Sequence, residues 1–322
     1  HIMELVESFT LTSLHKVTET STGKENYGQI RLMSIEQSGS TLGSAYQPDP
    51  TPHSGDVYMN NTNNKLSDKN LSTGENSYLT LIHEIGHALG LDHPFDGLKT
   101  ETGSPGKSFQ NTVMSYDNYS GKKVSHMDGD VYEDYFPQTW MIDDIAALQY
   151  MYGTNEQTNR GDNTYSIANL SNVSVSDGII YQTIWDAAGN DTISWANQTS
   201  SSHINLNPGT HSFFGKITST ADSDFADGID DLGVGDGILG IAYGAYIENA
   251  EGGTASDVII GNSLDNVLYG GKGTNTFDTL IGGDGADVFQ INTGTDLTTV
   301  VPVDSGPPAN STWGMEFTKL VF

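Results

Sequence analysis

The stretch His83–Pro94 reads "HEIGHALGLDHP" and holds three of the chain's nine histidines, with a glutamate directly after the first. On a helix, His83 and His87 stand at i and i+4, so both imidazoles leave one face and can grip one ion. Glu84 is turned about 100° from His83 by helix geometry, near enough to reach a water on that ion without being a ligand itself. A third ligand on a continued helix would point away. Gly90 removes that obstacle, because a residue with no Cβ can take a positive φ and turn the chain back toward the ion at His93. Three neutral nitrogens leave a position open for water, as a catalytic zinc site requires. Zinc lowers the pKa of such a water towards ~7, and Glu84 can take its proton as general base. A lone histidine on a helix is ordinarily a surface or satisfied core residue. The full H-E-x-x-H-x-x-G-x-x-H string fixes five positions together and points to metal-assisted hydrolysis.

These side chains need elements to hold them. In "ENSYLTLIHEIGHALG" the apolar residues Leu79, Ile82, Ile85, Ala88 and Leu89 form the stripe of an amphipathic helix, and Gly90 stands where a left-handed residue would end it. "GQIRLMSIEQ" and "GDVYMNN" read as strands, "ELVESFTLTSLHKVTE" as partly helical, and "YQPDPTPHSGD" as a Pro-rich loop. From Gly103 to Pro137 the chain reads as loop. "TWMIDDIAALQYMYG" is a further helix, with Asp143 and Asp144 on its early turns and Gly153 at its end.

Downstream of the histidines, "NTVMSY" carries Met114 and Tyr116. With Pro94 after the third histidine, and with "VMSY" and "TWMIDDIAALQYMYG", the chain resembles the metzincins and, among them, the serralysins, secreted bacterial metalloendopeptidases with a C-terminal Ca²⁺-binding β-roll. The resemblance implies an α+β metzincin catalytic domain over residues 1–155, followed by an all-β parallel β-roll (RTX) domain over residues 156–322. Its N-terminus is expected to be incomplete, since only 82 residues precede His83. It further implies that Met114 forms the Met-turn, an apolar floor under the metal. Tyr116 would be an added zinc ligand that swings off to stabilise the oxyanion, a catalytic role beside that of Glu84. On residue type alone Met114 reads as core and Tyr116 as a buried aromatic. Metzincin substrates lie extended along an edge strand; "LGSAYQP" (Leu42–Pro48) is a candidate for it, with an ordinary half-buried strand as the equal alternative.

Past residue 155 short β-branched runs alternate with Gly/Asn/Asp turns. Gly252, Gly261 and Gly270 lie nine residues apart, and Gly282 follows after twelve, so "TNTF" reads as a three-residue insertion at a turn. The theme G-G-x-G-x-D-x-U-x pairs a tight turn with a short strand, and turn carbonyls and aspartates make hard oxygen ligands suited to Ca²⁺. Gly282, Gly283, Gly285 and Asp287 match it best. Gly252, Gly253 and Asp257 keep most of it. In the turn from Gly261, Asn262 replaces a glycine, Leu264 replaces another, and Asn266 stands at the aspartate position. In Gly270, Gly271, Gly273 the insertion leaves two candidates for the ligand, Asn275 and Asp278. The resemblance adds a separate calcium site in "WDAAGND", at Asp186, Gly189 and Asp191, completed by Asn159, Gly161 and Asn163. "DSDFADGIDDLGVGDG" (222–237) is unphased and reads as a solvated loop.

Composition sets the bounds. The chain has 41 acidic against 13 basic residues and a net charge of −28. It repels nucleic acid and anionic membranes and attracts cations. No cysteine is present, which excludes disulfides, thiolate zinc ligands and a catalytic thiol, and no membrane-spanning run is found. The expected cofactors are one catalytic Zn²⁺ and several structural Ca²⁺. The expected partners are protein or peptide substrates and, from the resemblance, a proteinaceous inhibitor; a monomer, secreted by a type I route, is expected. The competing reading is a Ca²⁺-dependent extracellular binding module with an inactive peptidase domain.

Overall fold

Ile2, Val6 and Phe9 are buried on one face of the first helix, α1 (Ile2–Phe9), at the spacing of an amphipathic helix. The structure is a computed structural model that describes residues 1–18, 28–62, 71–95, 108–116, 124–128, 131–166, 170, 180–215, 237–274, 276–291, 297–301 and 320–321. The chain divides into two compact units. The first is built from His1–Lys123, Glu133–Asn155 and Val173–Val175, the second from Val124–Tyr132, Glu156–Asn172 and Ser176–Phe322.

In the first unit, β1 (Arg31–Ile35) pairs in parallel with β3 (Asp56–Asn60), and β2 (Gly43–Ala45) pairs antiparallel to β3 and forms an edge. Arg31 clamps β1 to β3 through both oxygens of buried Asp56, at 2.5 and 2.7 Å. Helix α2 (Asn76–Ala88) packs on β2 and β3. It is buried nearly all round, from Ser77 to Ala88, more fully than an amphipathic stripe requires. Gly90, at φ +99°, closes α2: the Gly90 N–H donates to His87 O and the Leu91 N–H to Gly86 O, both at 2.9 Å. This is a Schellman ending, which a glycine adopts without a Cβ clash. Helix α3 (Ile142–Tyr152) lies against α1, and the Gln149 amide donates to Phe9 O at 3.1 Å.

One expectation needs correction. Where residues 103–137 read as loop, Val124–Asp128 (β4) and Val131–Tyr135 (β5) are strands. The sequence carries the signal, valine and aromatic residues on either side of an Asp-Gly pair, but high polarity masks it.

The second unit is built of strands in two sheets. Early strands are β6 (Thr164–Ser166), β7 (Ile180–Ile184), β8 (Thr192–Ser194), β9 (Ser202–Asn205), β10 (His211–Phe214) and β11 (Gly237–Ile241). Then β12 (Asn249–Glu251), β13 (Val258–Ile260), β14 (Val267–Tyr269), β15 (Phe277–Ile281), β16 (Val288–Gln290), β17 (Leu297–Val301) and β18 (Leu320–Val321) fall alternately in the two sheets. From β12 onward the pairing within each sheet is parallel, Ala250 to Leu268 to Phe289 in one and Ile259 to Leu280 in the other, while earlier in the second sheet β10 runs antiparallel to both β9 and β11. All five side chains are buried, so each of these strands contributes an apolar residue to the core. The inserted "TNTF" is not confined to the turn: Phe277 begins β15 and is exposed. The stretch 222–236 and most of the C-terminus lie outside the described residues.

Candidate metal centre

His83 and His87 project from α2 and His93 returns from beyond Gly90, so that the three ligand nitrogens all lie within 4.8 Å of one another. His93 Nε2 is 3.2 Å from His83 Nε2 and 3.1 Å from His87 Nε2. The other nitrogens fix the tautomers. A carbonyl can only accept, so the hydrogen bonds from His83 Nδ1 to Val113 O and from His87 Nδ1 to Leu91 O, each 2.8 Å, place the protons on Nδ1. Burial, helped by His87 and His93 and opposed by the hydrogen bond to Val113, lowers the His83 imidazole to a pKa of about 4. Two lone pairs therefore face the third ring. Neutral nitrogens so arranged suit one zinc ion, and acceptors on the far side of the His83 and His87 rings are what a bound metal's outer shell needs.

Tyr116 is 62% exposed, and its hydroxyl lies 2.7 Å from His93 Nε2. It is thus solvent-facing, where residue type alone suggests burial. Met114 is buried, against α2 at Gly86: a Cβ on Gly86 would come within 2.5 Å of Met114 Sδ. That contact explains a glycine inside this helix. Glu84 is buried, which pushes its carboxyl up to about 7. The edge strand β2 runs beside it, where Gly43 leaves room for the Glu84 side chain.

Sequence reasoning noted Asp144 without a role. It is buried at the start of α3 and accepts hydrogen bonds from Met141 N (2.9 Å), Val113 N (2.8 Å) and Thr112 Oγ1 (2.6 Å). Burial outweighs these and raises its carboxyl to about 7. Its signal in the sequence is an acid in the first turn of α3; Thr112 and Val113, 32 and 31 residues away, carry none.

In the second unit Asp186, Asp191, Asn159, Gly161, Asn163 and Gly189 come together. Tyr165 donates to Asp186 Oδ2 at 2.5 Å, Asn163 N to Asp191 Oδ1 at 2.7 Å, and the Asn159 amide to Trp185 O at 3.0 Å. A Cβ on Gly189 would lie within 2.6 Å of both Gly161 O and Asp191 Oδ1. Asp191 Oδ2 is buried with no hydrogen-bond partner among the described residues. Glu248 was missed by sequence reasoning; its carboxylate accepts from Asp191 N at 2.8 Å. Burial raises Asp186 to about 6 and also raises Asp191 and Glu248.

The repeat turns stack in two series. In one, Asp257 accepts from Ser202 N (2.6 Å) and Gly253 N (2.8 Å), while its own N–H donates to Asp278 Oδ1 at 3.0 Å. Asp278 is buried against Gly270; Asn275, the other candidate, lies outside the described residues. Gly252 packs on Asp257, Gly271 approaches Gly252 and Gly253, and Gly273 packs on Thr276. In the other series Asn266 N donates to Asp287 Oδ1 at 3.0 Å, and Gly282 packs on Asp287. Gly283 and Gly285 take positive φ, +96° and +104°. The Asn262 amide donates to Leu206 O (3.0 Å) and Ile247 O (2.8 Å), and the Asn266 amide to Glu248 O (2.9 Å) and Asn262 Oδ1 (3.0 Å).

Comparison with known proteins agrees with this geometry. The Matrixin family model matches residues 23–98, and the model for the Peptidase M10 serralysin C terminal matches residues 144–304. Metalloprotease AprA of Pseudomonas entomophila is 32% identical over 271 residues, covering 79% of this chain and 51% of that protein. Metallopeptidase AprA of Pseudomonas marginalis is 36% identical over 202 residues, covering 59% and 38%. Serralysin C of Dickeya chrysanthemi is 33% identical over 230 residues, covering 68% and 43%. The chain thus spans about half the length, or less, of these relatives. With a matrixin segment carrying the histidine helix and a serralysin C-terminal segment covering half of its length, the chain belongs to the serralysin family of metzincins.

Proposed function

We propose that the chain is a secreted zinc endopeptidase that hydrolyses peptide bonds of protein substrates. The observation that carries this reading is the convergence of His83, His87 and His93, the Nδ1 protons of His83 and His87 committed to carbonyls, beside a buried glutamate. When bound, zinc supplies Lewis-acid polarisation of the scissile carbonyl and acidifies the attacking water. Glu84 takes the proton of that water and delivers it to the leaving amine. A carboxyl raised to about 7 by burial is matched to this exchange near neutral pH. The Tyr116 hydroxyl, on the open side of His93, donates to the oxyanion that forms on the substrate. Gly43–Ala45, at the edge of the sheet among the described residues and beside Glu84, offers that edge to an extended substrate.

We assign residues 1–155 to the catalytic domain and 156–322 to a parallel β-roll held by calcium. Alternation of β12 to β17 between two parallel ladders supports the roll. The uncompensated Asp191 oxygen and the raised carboxyls around it support calcium at Asp186 and Asp191, with Glu248 as a further oxygen donor. Among the described residues no helix is long and apolar enough to cross a membrane. Export by a type I route, a monomeric state and control by a proteinaceous inhibitor complete the proposal.

The test is hydrolysis of casein by the purified chain. Cleavage that a zinc chelator abolishes and added zinc restores is expected. Intact casein in the presence of stoichiometric zinc would favour a calcium-dependent binding module instead.

A further inference from the structure

Among the described residues the hydrogen bonds of Asp144 and Thr112 reach no candidate ligand directly, yet a continuous line of such bonds joins them to His83. Thr112 Oγ1 donates to Asp144 Oδ1 at 2.6 Å. The same Oγ1 accepts from Met114 N at 2.9 Å, so its own proton is committed to the carboxylate. That N–H belongs to the peptide linking Val113 to Met114, whose carbonyl accepts from His83 Nδ1 at 2.8 Å. The second carboxylate oxygen accepts from Val113 N and Met141 N, at 2.8 and 2.9 Å, and pins the turn to the start of α3. Asp144 is 2% exposed and Thr112 6% exposed, so the line runs out of water.

We propose that Thr112 and Asp144 are positioning residues that strengthen zinc binding through the Val113–Met114 peptide and His83. A hydrogen bond donated by a peptide N–H polarises its own carbonyl, making it a better acceptor. A better acceptor draws on the His83 Nδ1 proton, raises the basicity of Nε2 and fixes the ring plane. Both oxygens of Asp144 take donors, Thr112 Oγ1 on one and two backbone N–H groups on the other, and this acceptor-only arrangement sets the direction of every link. The arrangement is a carboxylate–histidine pair stretched by one hydroxyl and one peptide. Asn at position 144 would keep the shape but present an N–H₂ to Thr112 and reverse the first link.

The experiment measures zinc affinity of the full chain by chelator competition for the parent, Thr112→Val, Thr112→Ser and Asp144→Asn. Apo-protein melting is recorded alongside. Thr112→Val is expected to weaken zinc binding by about tenfold or more, and Thr112→Ser to bind within about threefold of the parent. The His83 Nδ1–H proton resonance should move upfield in Thr112→Val and return in Thr112→Ser. Should Asp144→Asn fail to fold, the two Thr112 variants decide. If Thr112→Val melts lower but binds zinc within about twofold of the parent, both residues are scaffold alone and the relay is wrong. The relay rests on reading His83 as a zinc ligand. A parent chain that takes up no zinc would overturn that reading and the relay with it.

Discussion

Gly43 on the edge strand and Glu84 on the histidine helix are packed without room for a methyl group between them: a Cβ on Gly43 would meet Glu84 Cγ at 2.8 Å and Oε1 at 3.0 Å. Thr80 Cγ2, at 3.1 Å, closes the other side. Gly43→Ala must therefore displace the proposed base, and a small misplacement of a catalytic group is costly. We expect kcat to fall on the order of tenfold to a hundredfold with zinc content unchanged. A variant with parental kcat would show that Glu84 tolerates the shift.

Tyr116 is predicted to act on the transition state and not on folding. It is exposed, and its hydroxyl contacts His93. Tyr116→Phe should lower kcat on the order of 10²-fold, with little change in KM, as loss of one oxyanion donor does. Zinc affinity should change far less, because three histidines remain. An equal loss in zinc affinity would reassign Tyr116 as mainly a ligand.

Calcium removal should make stability fall with rising pH. Burial raises the carboxyls of Asp186 (to about 6), Asp191, Glu248, Asp257 and Asp287 above their ordinary range. A carboxyl whose pKa is raised in the folded chain contributes stability below its unfolded value, and that contribution is lost as pH rises through the folded value. The calcium-depleted chain should melt lower at pH 8 than at pH 5, by circular dichroism. Added calcium should abolish most of the difference, since a bound cation favours the ionised form. Melting curves indifferent to calcium at pH 8 would sink the assignment.

Asn266 marks a joint that holds by amides. Its Nδ2 donates to Glu248 O and Asn262 Oδ1, so Asn266→Asp sets a carboxylate against two acceptors. We expect a loss of about 1–3 kcal/mol in calcium-free urea unfolding. The loss should shrink when calcium is added, because an ion can then bridge the oxygens. An identical loss with and without calcium would show that no ion enters there.

The zinc helix was legible because its information is local. Spacing put His83 and His87 on one face, and Gly90 takes the positive φ that its lack of a Cβ permits. The repeat glycines were legible for the same reason, as periodicity survives in one dimension. What escaped notice is long-range. Nothing near Thr112 announces Asp144, 32 positions later, and nothing near Asp191 announces Glu248, 57 positions later. Nothing near Gly86 announces Met114, the side chain packed against it. That Asp278 is a buried neighbour of Asp257 emerges only once the turns are stacked.

The central claim is that Glu84 moves the proton in a zinc-dependent peptide hydrolysis. The most direct measurement is the initial rate of casein cleavage by the parent and by Glu84→Gln at equal, stoichiometric zinc content. The account predicts a fall on the order of 10²- to 10⁴-fold with zinc retained. A Glu84→Gln chain that cleaves casein as fast as the parent would contradict it.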